Sequence, residues 1–385
     1  MGKDLTGSKL LVVSAVNFSG GGPLTVLRES LASAVEVLPP EWEIMALVHD
    51  AKLIDLPRVR AVAIPDAKAA WWRRLRWEWF GFARLSKQWK ADVWLSLHDI
   101  TPRVSAGRQA VYCHNPAPFY RLSLRETMQE PKLWLFNLFY AWLYRLNIRR
   151  NSHVIVQQEW LRHEFRKRFG PLPMLVAHPA ADQTPRTGIL RETGRQVFLY
   201  AAFPRVFKNF EVIGEAVSLL VNRGVTEFEV RFTIDGSENR YAAWLKQRFG
   251  HLAQLRFIGL QPPDAMPDLY AEATVALFPS RLETWGLPIT EAKGQGLPML
   301  VADLPYAHET VGEYDLVSFF DPLSPDRLAR LMEAIIGGTW QADGSTPTAP
   351  GGPFAANWDE LWTMLVAEDA PASVQSSASE KANAA

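Results

Sequence analysis

Apolar residues along this chain come mostly in short uninterrupted runs rather than in strict alternation. The first, Leu10-Leu11-Val12-Val13-Ser14-Ala15-Val16, is the pattern of a strand buried on both faces of a parallel sheet. Further strands are predicted at Glu43–Val48, Ala61–Ile64, Val93–Leu97, Ala110–Cys113 and Val154–Val156. Helical patterns, beginning with Leu24 to Val37, fill most of the gaps and argue for βα units. A second series follows the polar stretch Ala181 to Gly188, at Val197–Ala201, Phe228–Ile234, Leu255–Phe257, Val275–Phe278, Met299–Ala302 and Leu316–Phe319. The reading is two successive α/β domains, 1–180 and 189–339. A Pro-, Gly- and Thr-rich linker at 340–353 and a last amphipathic helix over 354–368 come next. Residues 370–385, rich in Ala and Ser, read as a disordered tail.

Composition narrows the function classes. The 385 residues exceed one ordinary core. The 41 basic and 41 acidic residues cancel, so no overall field favours nucleic acid as a partner. Cys113 is the only cysteine, which excludes an internal disulfide and suits a reducing cytoplasm. The N-terminus carries no signal-peptide pattern, and no apolar run approaches the ~20 residues that span a bilayer. The expectation is a cytoplasmic protein that is soluble or sits on the inner face of the plasma membrane. Fifteen tryptophans are unusual. Trp71, Trp72, Trp77 and Trp79 alternate with Arg73, Arg74 and Arg76, and Trp134 to Tyr144 is a run of aromatics followed by Arg145, Arg149 and Arg150. Arginine beside tryptophan suits an anionic lipid interface. Buried interdomain helices are the other reading, and the stronger one for 134–144.

The candidate chemistry concentrates between Ala276 and Leu300. The strand at Val275–Phe278 ends in Pro279-Ser280, and a glycine turn at Gly286 leads through Leu287 to Pro288, a residue tolerated in the first turn of a helix. Glu291 is placed in that first turn, where its charge suits the helix dipole, and Glu283 on the loop before it. On one continuous helix the two would lie roughly 12 Å apart. The Gly-Leu-Pro break lets the loop fold back so that both carboxylates face one ligand, beside free backbone N–H groups that suit an anion. A solvated helix with an acidic first turn would also fit the bare pattern.

With its Phe-Pro-Ser strand end and the following Gly-Leu-Pro-Met-Leu-Val, this stretch resembles the donor-site signature of the family 4 (group 1) retaining glycosyltransferases. That signature is a Glu, seven residues and a second Glu, with Gly-Leu-Pro between them. The resemblance implies an α/β GT-B fold: two Rossmann-like, doubly wound domains facing across a cleft. Residues 1–180 would be the acceptor side, residues 189–339 the nucleotide-sugar domain, and the last helix would cross back to the first domain. It also implies that Glu291 binds the ribose hydroxyls and Glu283 lies beside the transferred sugar, with Thr284, Gly286, Leu287 and Pro288 around the donor.

The other parts follow from the same resemblance. Arg205 and Lys208, in Pro204 to Phe210, resemble the family's diphosphate clamp, although their spacing is shorter; an exposed basic turn is the plainer reading. His114, in Tyr112-Cys113-His114-Asn115-Pro116, resembles the His-Asn-Pro loop of members that build bacterial cell-surface polysaccharides, and would face the donor sugar from across the cleft. Gly21 and Gly22 would let backbone approach the donor or the neighbouring domain. Gly236 and Gly259 would line the nucleotide pocket, and Glu309 would lie near the segment closing it. His98 and Asp99, with Asn115, are candidates for the acceptor side, or structural residues. No Asp-x-Asp pair or H-E-x-x-H motif is present, so neither a metal nor a cofactor is expected beyond the nucleoside-diphosphate sugar donor. The function expected is transfer of a hexose or deoxyhexose to a glycan or lipid-linked oligosaccharide, as in O-antigen, capsule or exopolysaccharide synthesis. The alternative is a non-catalytic GT-B relative that binds nucleotide sugar or glycan.

Overall fold

The computed structural model describes residues 8–179, 194–347 and 349–367; the calls made on Met1 to Thr6, on Ala181 to Gly188 and on 370–385 lie outside them. The first sheet is built from β1 (Lys9–Ser14), β2 (Trp42–Val48), β3 (Val59–Ala63), β4 (Val93–Ser96), β5 (Arg108–Cys113), β6 (His153–Val156) and β7 (Met174–Ala177). The second holds β8 (Gln196–Tyr200), β9 (Phe228–Phe232), β10 (Leu255–Phe257), β11 (Val275–Phe278), β12 (Met299–Ala302) and β13 (Val317–Phe320). A short β14 (Phe354–Ala355) returns to the first sheet and pairs with β7. The strand orders are β14-β7-β6-β5-β4-β1-β2-β3 and β10-β9-β8-β11-β12-β13, and the paired strands in both sheets run parallel.

Both sheets change direction beside their first strand, between β1 and β4 and between β8 and β11. The connections there diverge to opposite faces and leave a crevice at the strands' carboxyl ends, where open α/β sheets take ligands. The continuous apolar runs of β1, β4, β11 and β12 are buried along nearly their whole length, as sheets covered on both faces require.

Some elements differ from the sequence reading. The helix expected at Leu24 to Val37 starts at Gly21, with Val26, Leu27, Leu31 and Ala34 buried. β7 was not anticipated. Phe354 and Ala355, read as the start of a helix, form β14, and the helix runs Trp358–Val366. It packs on the helix Gly21–Val37, where the Trp362 indole donates to the Ser30 carbonyl at 2.8 Å. The aromatic helix Pro131–Arg145 is not a buried interdomain element. Tyr140, Ala141 and Tyr144 face inward, while Trp134, Leu135, Leu138, Phe139 and Trp142 are exposed on the other side.

Candidate active site

The two direction-change points face each other across a cavity of about 520 Å³. The second sheet contributes Lys208, Glu283, Thr284, Gly286, Leu287 and Pro288 to its wall, and the first contributes Gly22, Asp99, His114 and Asn115. Lys208 and Glu283 are the charged pair of the C-terminal wall. The Lys208 ammonium donates to Glu283 Oε1, and both side chains are largely buried.

The loop carrying Lys208 is fixed from several sides. Tyr200 Oη donates to the Lys208 carbonyl at 2.6 Å. Asn209, in the left-handed region at φ 58°, donates from its amide to the Pro279 and Pro322 carbonyls at 3.1 and 2.8 Å. The backbone N–H of Arg281 donates to the Phe207 carbonyl at 2.7 Å. The loops after β8 and β11 are therefore laced together, and the charged pair does not depend on flexible side-chain reach alone. Trp285 is buried behind Glu283, donating to Thr290 Oγ1 at 3.0 Å and lying 4.4 Å from the His178 ring. Gly286 begins the helix Leu287–Gly294 at φ 92°, and a side chain there would meet the Phe278 ring at 3.3 Å. The positive φ favours glycine, and the close ring adds a tight contact for any side chain. No side chain caps that helix; Pro288 has no N–H and the Ile289 N–H donates to the Gly286 carbonyl at 2.9 Å, so the Leu287 N–H and the positive end of the dipole are what the helix start offers an anion.

The N-terminal wall is organised by Asp99. Its Oδ1 accepts from the backbone N–H groups of His114 and Asn115, at 2.7 and 3.0 Å, and from Tyr144 Oη at 2.9 Å. Its Oδ2 accepts from Tyr140 Oη at 2.9 Å and lies 3.6 Å from His114 Nε2. Burial, reinforced by the Asp99 charge, holds both phenols well above their usual range, so they serve as donors. Asp99 itself has φ 69°, a conformation that Asp tolerates better than most residues. The His114 ring stacks on Phe18 at 5.2 Å. Asp99 thus borders the cavity, but its oxygens are engaged in holding the His114 loop.

Several expected site residues lie elsewhere. His98 is fully buried and not on an acceptor surface: Nε2 lies 3.1 Å from Ser14 Oγ, and Nδ1 lies 3.3 Å from an Arg74 nitrogen and 3.2 Å from Glu78 Oε1. Burial, with the Arg74 cation, drives its pKa well below the usual histidine range. Burial also pushes the Glu78 carboxyl up to about 8, against the opposing pull of Arg74. A protonated Glu78 can donate to the neutral His98 ring. Arg205 turns away from Lys208 and pairs with the buried Glu130 at 3.1 Å, while Glu130 also accepts from the Val206 N–H. Glu291 falls in the second turn of its helix rather than the first, because the helix already begins at Leu287. It is exposed and accepts from Tyr270 Oη at 2.8 Å. Glu309 accepts from the Glu159 N–H at 2.9 Å and meets His178 Nε2 at 3.0 Å, tying the two halves together.

Gly22 touches the other half, with Leu287 Cδ1 3.4 Å from where its Cβ would stand. Gly21, at φ 62°, starts the same helix just outside the cavity lining. Gly236 and Gly259 lie at φ 101° and 80° on the turns after β9 and β10. The Asp235-Gly236 turn is closed on itself, since Glu238 accepts from both N–H groups. Gln157 and Pro179 also border the cavity and were not singled out from sequence. Nor were Tyr140 and Tyr144, whose spacing by one helical turn within an apolar helix was the available signal.

Residues 182–339 match the family model described as glycosyl transferases group 1. These residues are a group 1 glycosyltransferase domain. Over 88 residues the chain is 33% identical to the O-antigen chain mannosyltransferase B of Escherichia coli, a match covering 23% of each protein. It spans only 23% to 33% of the length of the curated relatives it matches. HepE of Anabaena, solved with UDP and glucose, superposes with a TM-score of 0.61 at 15% identity, covering 86% of this chain and 90% of that one. The lipopolysaccharide outer core galactosyltransferase WaaB, in its apo form, gives 0.57 at 15% identity over 87% and 92%. The glycosyltransferase domain and the sheet that precedes it together form the GT-B fold.

Proposed function

We propose that this protein is a retaining glycosyltransferase that moves a hexose or deoxyhexose from a nucleoside-diphosphate sugar to a glycan or lipid-linked oligosaccharide acceptor. The observation that carries the reading is the Lys208–Glu283 pair at the direction-change point of the glycosyltransferase domain, facing His114 across the cavity. The names of its relatives, an O-antigen mannosyltransferase and a lipopolysaccharide galactosyltransferase, favour cell-surface polysaccharide synthesis. Among the described residues no helix is long and apolar enough to cross a membrane. The proposed location is the cytoplasm, with peripheral association at the inner face of the plasma membrane.

In this reading the acceptor hydroxyl oxygen forms its bond to the anomeric carbon on the face that the diphosphate leaves. The carbon–oxygen bond to the diphosphate breaks with its electron pair going to that oxygen, and the hydroxyl proton passes to the departing group. Lys208 and the uncapped helix start after Gly286 stabilise the growing negative charge. No metal is assigned a part. Donor binding pulls Lys208 from Glu283 toward phosphate and releases Glu283 to hold sugar hydroxyls, while Glu291 holds the ribose.

The test is a thermal-shift screen of the purified protein against UDP-, GDP- and dTDP-sugars, with Glu291→Ala in parallel. One nucleotide should stabilise the wild type and not the variant, and sugar transfer with that donor should require an acceptor alcohol. Stabilisation by no nucleotide in a folded sample would replace this reading with the glycan-binding one.

A further inference from the structure

The segment Trp71–Trp89 and the helix Pro131–Arg145 share one outer face. The Trp71 ring joins them, lying 6.4 Å from Phe136 and 6.1 Å from both Phe139 and Tyr140. Around that joint Trp72 and Phe80 are 61% and 68% exposed, and Leu138 is 63% exposed. Charge is segregated on the same face. Between Ala67 and Ala91 the one acidic residue, Glu78, is fully buried, and between Pro131 and Gln158 there is none. The chain as a whole has no net charge, so the excess of cations here is local.

Within this face lies a groove of about 720 Å³ lined by Trp72, Arg73, Arg76, Trp77, Phe80 and Arg84. A wide π-type turn over Trp77–Gly81 shapes its floor. Gly81 is needed there, because a Cβ would stand 2.1 Å from the Trp77 ring. Arg73 reaches Asp66, also on the groove wall, only at 3.5 Å. Among the described residues neither Arg76 nor Arg84 has a carboxylate partner. Arg74, by contrast, points inward to the carbonyl of His98 and takes no part.

We propose that this groove is a headgroup site for an anionic membrane phospholipid, with the exposed rings and Leu138 entering the interface around it. Unpaired guanidinium groups beside indole and phenyl rings fit a phosphate carried on an acyl anchor. An acidic soluble protein would satisfy the arginines and leave the apolar ridge without a matching partner. The inference deepens the membrane-side part of the proposed function. It is read by binding alone, so its failure is distinguishable from failure of sugar transfer.

The experiment is co-sedimentation of the purified full chain with vesicles of phosphatidylcholine, or of phosphatidylcholine with phosphatidylglycerol. Arg76→Ser/Arg84→Ser and Phe80→Ser/Leu138→Ser are run alongside, with folding of each checked by its melting curve. The wild type should bind the anionic vesicles. Removing two arginines near the surface should weaken that binding about thirty-fold, and the apolar pair should weaken binding to both vesicle types. Unchanged affinity in the arginine variant, or no vesicle binding by the wild type, overturns the proposal. So does release from anionic vesicles by millimolar inorganic phosphate, which would make the groove a site for a soluble phosphate.

Discussion

The C-terminal wall of the cavity comes from two short loops and the helix start that follows the second, whereas the N-terminal wall gathers Gly22 from the first turn of the helix after β1, and Asp99, His114 and Asn115 from the loops after β4 and β5. Each wall has one central carboxylate. Glu283 meets a single lysine in one ion pair. Asp99 is saturated by two backbone N–H groups and two phenols. The first arrangement leaves charge available to a ligand, and the second consumes it in fixing the wall. Nearness to a cavity therefore does not by itself give a carboxylate a chemical role.

The largest effect should follow from Lys208→Ala. If its positive charge meets the leaving diphosphate, as proposed, kcat should fall by on the order of 10²–10³-fold, measured at saturating donor. An unchanged kcat would remove the distinction between the walls. Asp99→Ala should act first on stability. It removes the acceptor of Tyr140 and of the His114 N–H, while Tyr144 Oη and the Asn115 backbone keep their bonds to each other, and it should cost about 2 kcal/mol in urea unfolding, with Asp99→Asn recovering part of it.

Arg205→Ala sharpens the comparison within one loop. Its half-exposed pair with Glu130 is worth about 1 kcal/mol at most, and turnover should stay close to wild type, although Arg205 lies three residues from Lys208. The smallest effect is a pH slope. Glu78 has a folded-state pKa of about 8 against an ordinary value near 4.5, so the folded protein keeps a proton that the unfolded chain releases. That contribution is complete below the window and declines as pH rises through it. Tm should fall between pH 5 and 8, and Glu78→Gln should flatten the fall.

The legible parts of the molecule are those whose causes are local. β11, the turn at Gly286 and β12 each announce themselves within a few residues, and the apolar runs locate most strands to within a residue or two. Glu291 falls one residue further into its helix than expected, and so into the second turn, because the helix begins at Leu287, one residue ahead of the proline that marks it. The sequence leaves Asp99 open between the acceptor side and a structural role because its partners are 15 to 45 residues away in the chain. Arg205 and Lys208 look alike in sequence, and only Glu130, contributed by the other half, separates them. Two residues of strand before a helix, as in β14, carry too little pattern to be read at all.

β14 also sets a schedule. The first sheet is completed by residues that follow the whole of the second, and Tyr112 of β5 stacks on Trp358 at 5.2 Å. At ordinary translation rates the ribosome takes roughly 10–35 s to pass from Ala177 to Phe354. During that interval the nascent N-terminal half has an open strand edge at β7 and a bare apolar seam where Trp358 and Trp362 will lie. A gene divided between the two sheets would make that interval permanent, giving one fragment with an unpaired edge and another with an unpacked aromatic helix.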